Sequence, residues 1–196
     1  MSDIKYTKVD NRREDMDKRN FDIQCIIKSV NKVYDKDMVE FHKKYNLITR
    51  NGDPGIRWDF INTNINEIFN DDNYKTLLVK RGYWNQIVVY NISDKRLYFV
   101  MRESRYKDVK KDKKRTNLHL IQILGSVNDT DKNEATETLK QKLPEYISKA
   151  NEYILITYEY NENNNKSHFI GRKITSKFKC NHKEEWDSDL VLDKVN

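Results

Sequence analysis

Apolar side chains recur along this chain in two rhythms. In FDIQCIIKSVNKVYDKDMVEFHKKY, Ile23, Ile26, Ile27, Val30, Val33 and Tyr34 stand three or four apart, and the stripe runs on through Met38, Phe41 and Tyr45. That is the spacing of a long amphipathic helix with one buried side. After the turn dipeptides Asn51-Gly52 and Pro54-Gly55, a second helix is predicted over roughly 57–70, with Trp58, Ile61, Ile65, Ile68 and Phe69 on one face.

The rhythm then changes. YKTLLVK, YWNQIVVYN and RLYFVMRE are rich in β-branched and aromatic residues and predict three antiparallel strands. Asn91 to Asp94 read as a hairpin, and with Ile92 and Ser93 as its two-residue turn, Val88 opposes Leu97. One face of this hairpin collects Trp84, Gln86, Val88, Tyr90, Leu97, Phe99 and Met101, the better core face. The other is mixed, with Asn85, Ile87, Val89, Arg96, Tyr98, Val100 and Arg102.

Further on, TNLHLIQILGSV predicts a short helix capped by Thr116 or Asn117, and a longer helix over about residues 133–151 breaks at Pro144. YILITYEY and SHFIGRKI form a second hairpin across NENNNK, and the tail suggests a terminal helix through Trp186, Leu190 and Val191. The expected fold is α+β, with about five antiparallel strands in two hairpins packed against the long N-terminal helix and shorter intervening helices. The first twenty residues mix both charges without an apolar period, so a mobile charged segment 1–20 is expected before a single domain over 21–196.

Charge adds a feature that periodicity does not predict. Of 196 residues, 37 are basic and 31 acidic, a net +6, and the excess gathers in RESRYKDVKKDKKRTNLHL. Between residues 105 and 115, Arg105, Lys107, Lys110, Lys111, Lys113, Lys114 and Arg115 face only Asp108 and Asp112, so the local charge is 7 − 2 = +5. Such density neutralises phosphates and releases their counterions, although a lysine-rich loop is equally a solvated connection. Arg81 and Arg102, each at a predicted strand end, extend the basic rim, and Tyr98 and Tyr106 offer aromatic surface for unpaired bases.

Catalytic signatures are missing from the sequence. Asp94 and Glu103 lie at opposite ends of one strand, about 30 Å apart at roughly 3.3 Å per residue, too far to share a metal. Cys180-Asn181-His182 has no second cysteine or histidine pair nearby, there is no Gly-Lys-Ser/Thr phosphate loop, and no metal or cofactor is expected. Cys25 and Cys180 are far apart, and MSDIKYTKVD contains no secretory or spanning segment, so a cytoplasmic protein with reduced thiols is expected. Abundant Lys, Asn and Ile, against 5 Gly and 2 Pro, is the bias of AT-rich coding and suggests a low-GC bacterium, its phage or a mobile element.

Three functional readings follow. The first is a small non-enzymatic binding protein engaging nucleic acid, or a nucleic-acid-handling complex, through Arg81, Arg102, Arg105, Lys107, Lys110, Lys111, Lys113, Lys114 and Arg115. The second is a protein-interaction module, such as an inhibitor, immunity or anti-defence factor, whose mixed hairpin face at Ile87, Val89, Tyr98 and Val100 meets a partner. The third is a nuclease whose site is assembled from residues distant in sequence.

Overall fold

A computed structural model describes residues 19–81, 84–114 and 116–188 of the chain, which divides into two compact units, Met1–Ile68 and Phe69–Asn196. The first unit is helical where described. Residues 19–32 are α-helical, Val33–Asp37 form a π-helical turn, and Met38–Lys44 resume the α-helix, as the long apolar stripe predicts. Ile23, Ile26, Ile27, Val30, Val33 and Met38 are buried. The second helix, Asp53–Ile68, starts four residues earlier than periodicity predicts. Pro54 lies in its first turn, where no intrahelical N–H is needed, so the NGDPG segment initiates the helix as well as turning the chain.

Polar groups join these two helices. Asn64, buried, donates to Asp37 Oδ2 in the π-turn at 2.7 Å and accepts from Lys32 Nζ at 2.7 Å. Asp53, also buried, faces His42 Nε2 at 3.1 Å and Arg57 Nη2 at 3.8 Å. Both clusters are satisfied within the unit, as buried polar groups require.

The second unit is one mixed sheet of six strands in sequential order: β1 Tyr74–Arg81, β2 Trp84–Asn91, β3 Arg96–Arg102, β4 Glu152–Asn161, β5 Lys166–Ile174 and β6 Cys180–Asp187. The α+β class holds, with one strand more than expected. The added strand is β6, where a terminal helix was predicted. Trp186 is on it, packed across Gly171 of β5, while Leu190 and Val191 lie outside the described residues. The predicted cap of the Leu120–Gly125 helix also moves: His119 Nδ1, not Thr116 or Asn117, accepts from Ile121 N.

Two features of the sheet differ from the hairpin reading. First, Val88 opposes Phe99 rather than Leu97, because the β2–β3 turn spans four residues with Lys95 in the left-handed region at φ 52°. A shift of two preserves which side chains share a face, so both predicted face sets stand. Second, β3 and β4 pair in parallel, whereas all other neighbours are antiparallel. A parallel pair needs a long crossover. It is supplied by residues 103–151, which carry the helices Glu103–Lys111, Leu120–Gly125, Glu134–Lys142 and Glu145–Ser148.

The crossover packs on the face that carries Tyr90, Tyr153, Thr157 and Arg172. Tyr146 stacks at 5.5 Å on Tyr90, and Asn128 bonds the backbone of Tyr153 and Ile174 in place of a strand neighbour. Residues 96–101 of β3 and 153–158 of β4 are buried without alternation, the condition of strands covered on both faces. Two Arg–Glu pairs bracket this central joint. Arg96 Nε meets Glu152 Oε2 at 2.7 Å at its start, and Arg172 meets Glu103 just beyond its end.

Candidate nucleic-acid interface

The basic run is helical as far as Lys111, where a loop was expected. Glu103–Lys111 begins directly after β3 and is amphipathic, with Glu103, Tyr106 and Val109 buried three residues apart. The prediction failed here because the run is read by its charge, and only two of its nine residues, Tyr106 and Val109, are apolar. Those two sit at one-turn spacing with Glu103, which is enough to seat one side of a short helix on a sheet. Arg105, Lys107, Lys110 and Lys111 are exposed on the helix, and Lys113 and Lys114 are exposed just beyond it. Arg102 is half-buried at the end of β3, while the side chain of Arg81 and all of Arg115 lie outside the described residues.

Glu103 fixes the first turn. Its Oε2 accepts from Thr157 Oγ1 at 2.5 Å and from Arg172 Nη1 at 2.8 Å, and its Oε1 accepts from Arg172 Nη2 at 3.0 Å. Arg172 Nη1 also donates to Thr157 Oγ1. This planar, two-bond pairing is the geometry that Arg supports and Lys does not. Burial pushes the Glu103 carboxyl up, but the bonds from Thr157 and Arg172 and the Arg172 charge outweigh it, so the group is held below the usual carboxylate range.

The guanidinium continues into an aromatic stack. Arg172 Cζ lies 4.7 Å from the ring centroid of Tyr106, and Tyr106 lies 6.4 Å from Phe178 in the turn between β5 and β6. Burial raises the Tyr106 phenol. Phe178 is partly exposed, and its neighbours Lys177 and Lys179 are exposed. The turn thus adds two cations beside the basic helix, a contribution that sequence reasoning missed. SKFKC alternates charge with an aromatic, but its position next to residues 103–111 depends on pairing far along the chain.

The other predicted residues are placed differently. Ile87, Val89, Tyr98 and Val100 are all buried, so the mixed hairpin face belongs to the core and presents no surface for a partner. Tyr98 and Tyr106 are likewise too buried to stack on a base. Asp94 and Glu103 remain at opposite ends of β3, and Glu103 is committed to Arg172. Among the described residues, no group of three or more His, Cys, Asp or Glu side chains converges to hold a metal, and no helix is long and apolar enough to cross a membrane.

A family model described as "Family of unknown function (DUF5986)" matches residues 12–187. The chain belongs to that family. The match spans both units, from before the first described helix to the end of β6, so the basic helix and the β5–β6 turn lie inside the family's extent. Comparison with curated proteins and with solved structures gives no match.

Proposed function

We propose that this DUF5986 protein binds nucleic acid without catalysis, through the exposed side of the Glu103–Lys111 helix and the adjoining turns. The observation that carries this reading is the clustering of exposed cations on and just after one helix, Arg105, Lys107, Lys110 and Lys111 on the element held by a buried ion pair and Lys113 and Lys114 in the turn that follows it. Fixed cations lose less freedom on meeting phosphates than those on a free loop. The spacing of Lys107, Lys110 and Lys111 places them on one side of the helix.

The test is a salt titration of binding to an unrelated 20-base-pair duplex and a matching single strand. If about four phosphates are neutralised, log Kobs falls against log salt with a slope of roughly −3.6 for the duplex and −2.8 for the strand. Replacing Lys110, Lys111, Lys113 and Lys114 together with alanine is expected to flatten that slope to near −1 or abolish binding. Binding of unchanged strength and slope in the quadruple variant would overturn the reading.

A further inference from the structure

We infer that the ligand is single-stranded nucleic acid and that Phe178 is the platform on which one of its bases stacks, a reading that rests on the basic helix being a phosphate-binding element. Phe178 has a φ of 59°, a left-handed conformation that bulky side chains rarely adopt. Such strain persists only where the surroundings over-determine it, and it concentrates at functional sites.

The surroundings do so here. Thr175 N donates to Lys179 O at 2.9 Å, Phe178 N to Thr175 O at 2.9 Å, and Lys179 N to Thr175 Oγ1 at 3.1 Å. Ser176 is tied to Asp129 through its amide at 3.1 Å and its hydroxyl at 2.5 Å. Asn133, which caps the Glu134–Lys142 helix, holds the same Asp129 at 2.6 Å. A turn anchored this densely has no need of a strained phenylalanine for its own closure, since Gly or Asn would satisfy the same φ without strain.

The strained backbone instead fixes a partly exposed ring between two exposed lysines, against Tyr106 of the basic helix. An aromatic face flanked by cations fits an unpaired base with its phosphates on either side. Duplex bases are already stacked on each other and cannot use it.

Anisotropy of labelled dT20, U20 and a 20-base-pair duplex, measured with the full chain at fixed salt, tests this. Phe178→Ala and Phe178→Gly are expected to weaken single-strand binding about 5- to 100-fold, to leave duplex binding within about twofold, and to preserve the salt slope. Phe178→Trp should retain the single-strand affinity. The dT20 and U20 arms distinguish a DNA ligand from an RNA one. Equal single-strand affinity in wild type and both small variants would overturn the stacking role while leaving the polyanion reading intact, provided the lysine quadruple variant still loses binding. If the wild type binds none of the three, both readings fall.

Discussion

Glu103→Gln isolates the ion pair that holds the basic helix. The substitution keeps the shape of the side chain but replaces one carboxylate oxygen with an amide that points N–H groups at the Arg172 guanidinium. Three hydrogen bonds to a charged group are altered. At about 1.5–3 kcal/mol each they represent roughly 5–9 kcal/mol, offset by the several kcal/mol that the carboxylate no longer loses to desolvation. Arg172 remains buried, with 9% of its side chain exposed, and carries an uncompensated charge. The expected net loss is therefore about 3–5 kcal/mol, a large share of the total stability of about 5–15 kcal/mol typical of such a domain.

The double variant Glu103→Met/Arg172→Met carries the sharper expectation. With both charges gone and the volume kept, stability should return to within about 2 kcal/mol of wild type, because the pair itself contributes little beyond cancelling its own desolvation. Urea denaturation followed by far-UV circular dichroism gives the midpoints of Glu103→Met, Arg172→Met and the double, and the summed losses of the two singles should exceed that of the double by more than about 2 kcal/mol. The pH dependence gives an independent check. A carboxyl whose folded pKa is lowered contributes stability that is present above its unfolded value, about 4.3, and is lost as pH falls through the lower folded value. Wild type should therefore lose stability below about pH 4.3 more steeply than Glu103→Gln, with Glu152, also lowered through Arg96 and Lys173 against the effect of its burial, contributing equally to both. A Glu103→Gln cost under about 1 kcal/mol, or additive singles, would refute the assignment of Glu103 as a buried, ionised anchor.

Three further outcomes are expected. Tyr153 is fully buried and its hydroxyl has no hydrogen-bond partner among the described residues, so Tyr153→Phe should raise stability by about 1 kcal/mol, and a measured loss by the same denaturation would show that the hydroxyl is satisfied. A Cβ on Gly171 would stand 2.7 Å from the Trp186 ring, so Gly171→Ala should displace β6 and cost about 1–3 kcal/mol, reported by the change in Trp186 fluorescence. A Cβ on Gly125 would meet the Thr175 backbone at 2.8 Å, and Gly125→Ala should loosen the turn that holds Phe178, visible as faster amide exchange at residues 175–179.

Periodicity predicted most of the elements and missed the joint between them. The helices up to residue 68 and both hairpins were legible because each buries one stripe or one face. The parallel β3–β4 pair was not, although LYFVM and YILITY are near-continuous apolar runs of the kind that strands buried on both faces carry. Read as half-buried alternation, those runs left Ile87, Val89, Tyr98 and Val100 as an apparent partner surface. The basic run failed for a complementary reason. Its buried side rests on Tyr106, Val109 and one glutamate whose burial depends on Arg172, 69 residues away. No local pattern marks a carboxylate as a core residue when its partner lies on another strand.

That dependence also explains why the charged element occurs at this point in the fold. A chain leaving a parallel strand must turn away at once to begin its crossover, and Glu103 makes that turn with its carboxylate directed back onto β4 and β5. The helix that follows is thereby oriented before any of its lysines is placed, so the cations project from a fixed axis and lie beside the Phe178 turn through the shared contact with Tyr106. Charge density and charge position consequently have separate origins in the sequence. Lys110, Lys111, Lys113 and Lys114 set the first, whereas Glu103, Thr157 and Arg172 set the second. Under the proposed nucleic-acid binding, substitutions in the two sets should be distinguishable: replacing the lysines should alter the salt slope, and changing the buried triad should alter affinity only to the extent that it alters folding.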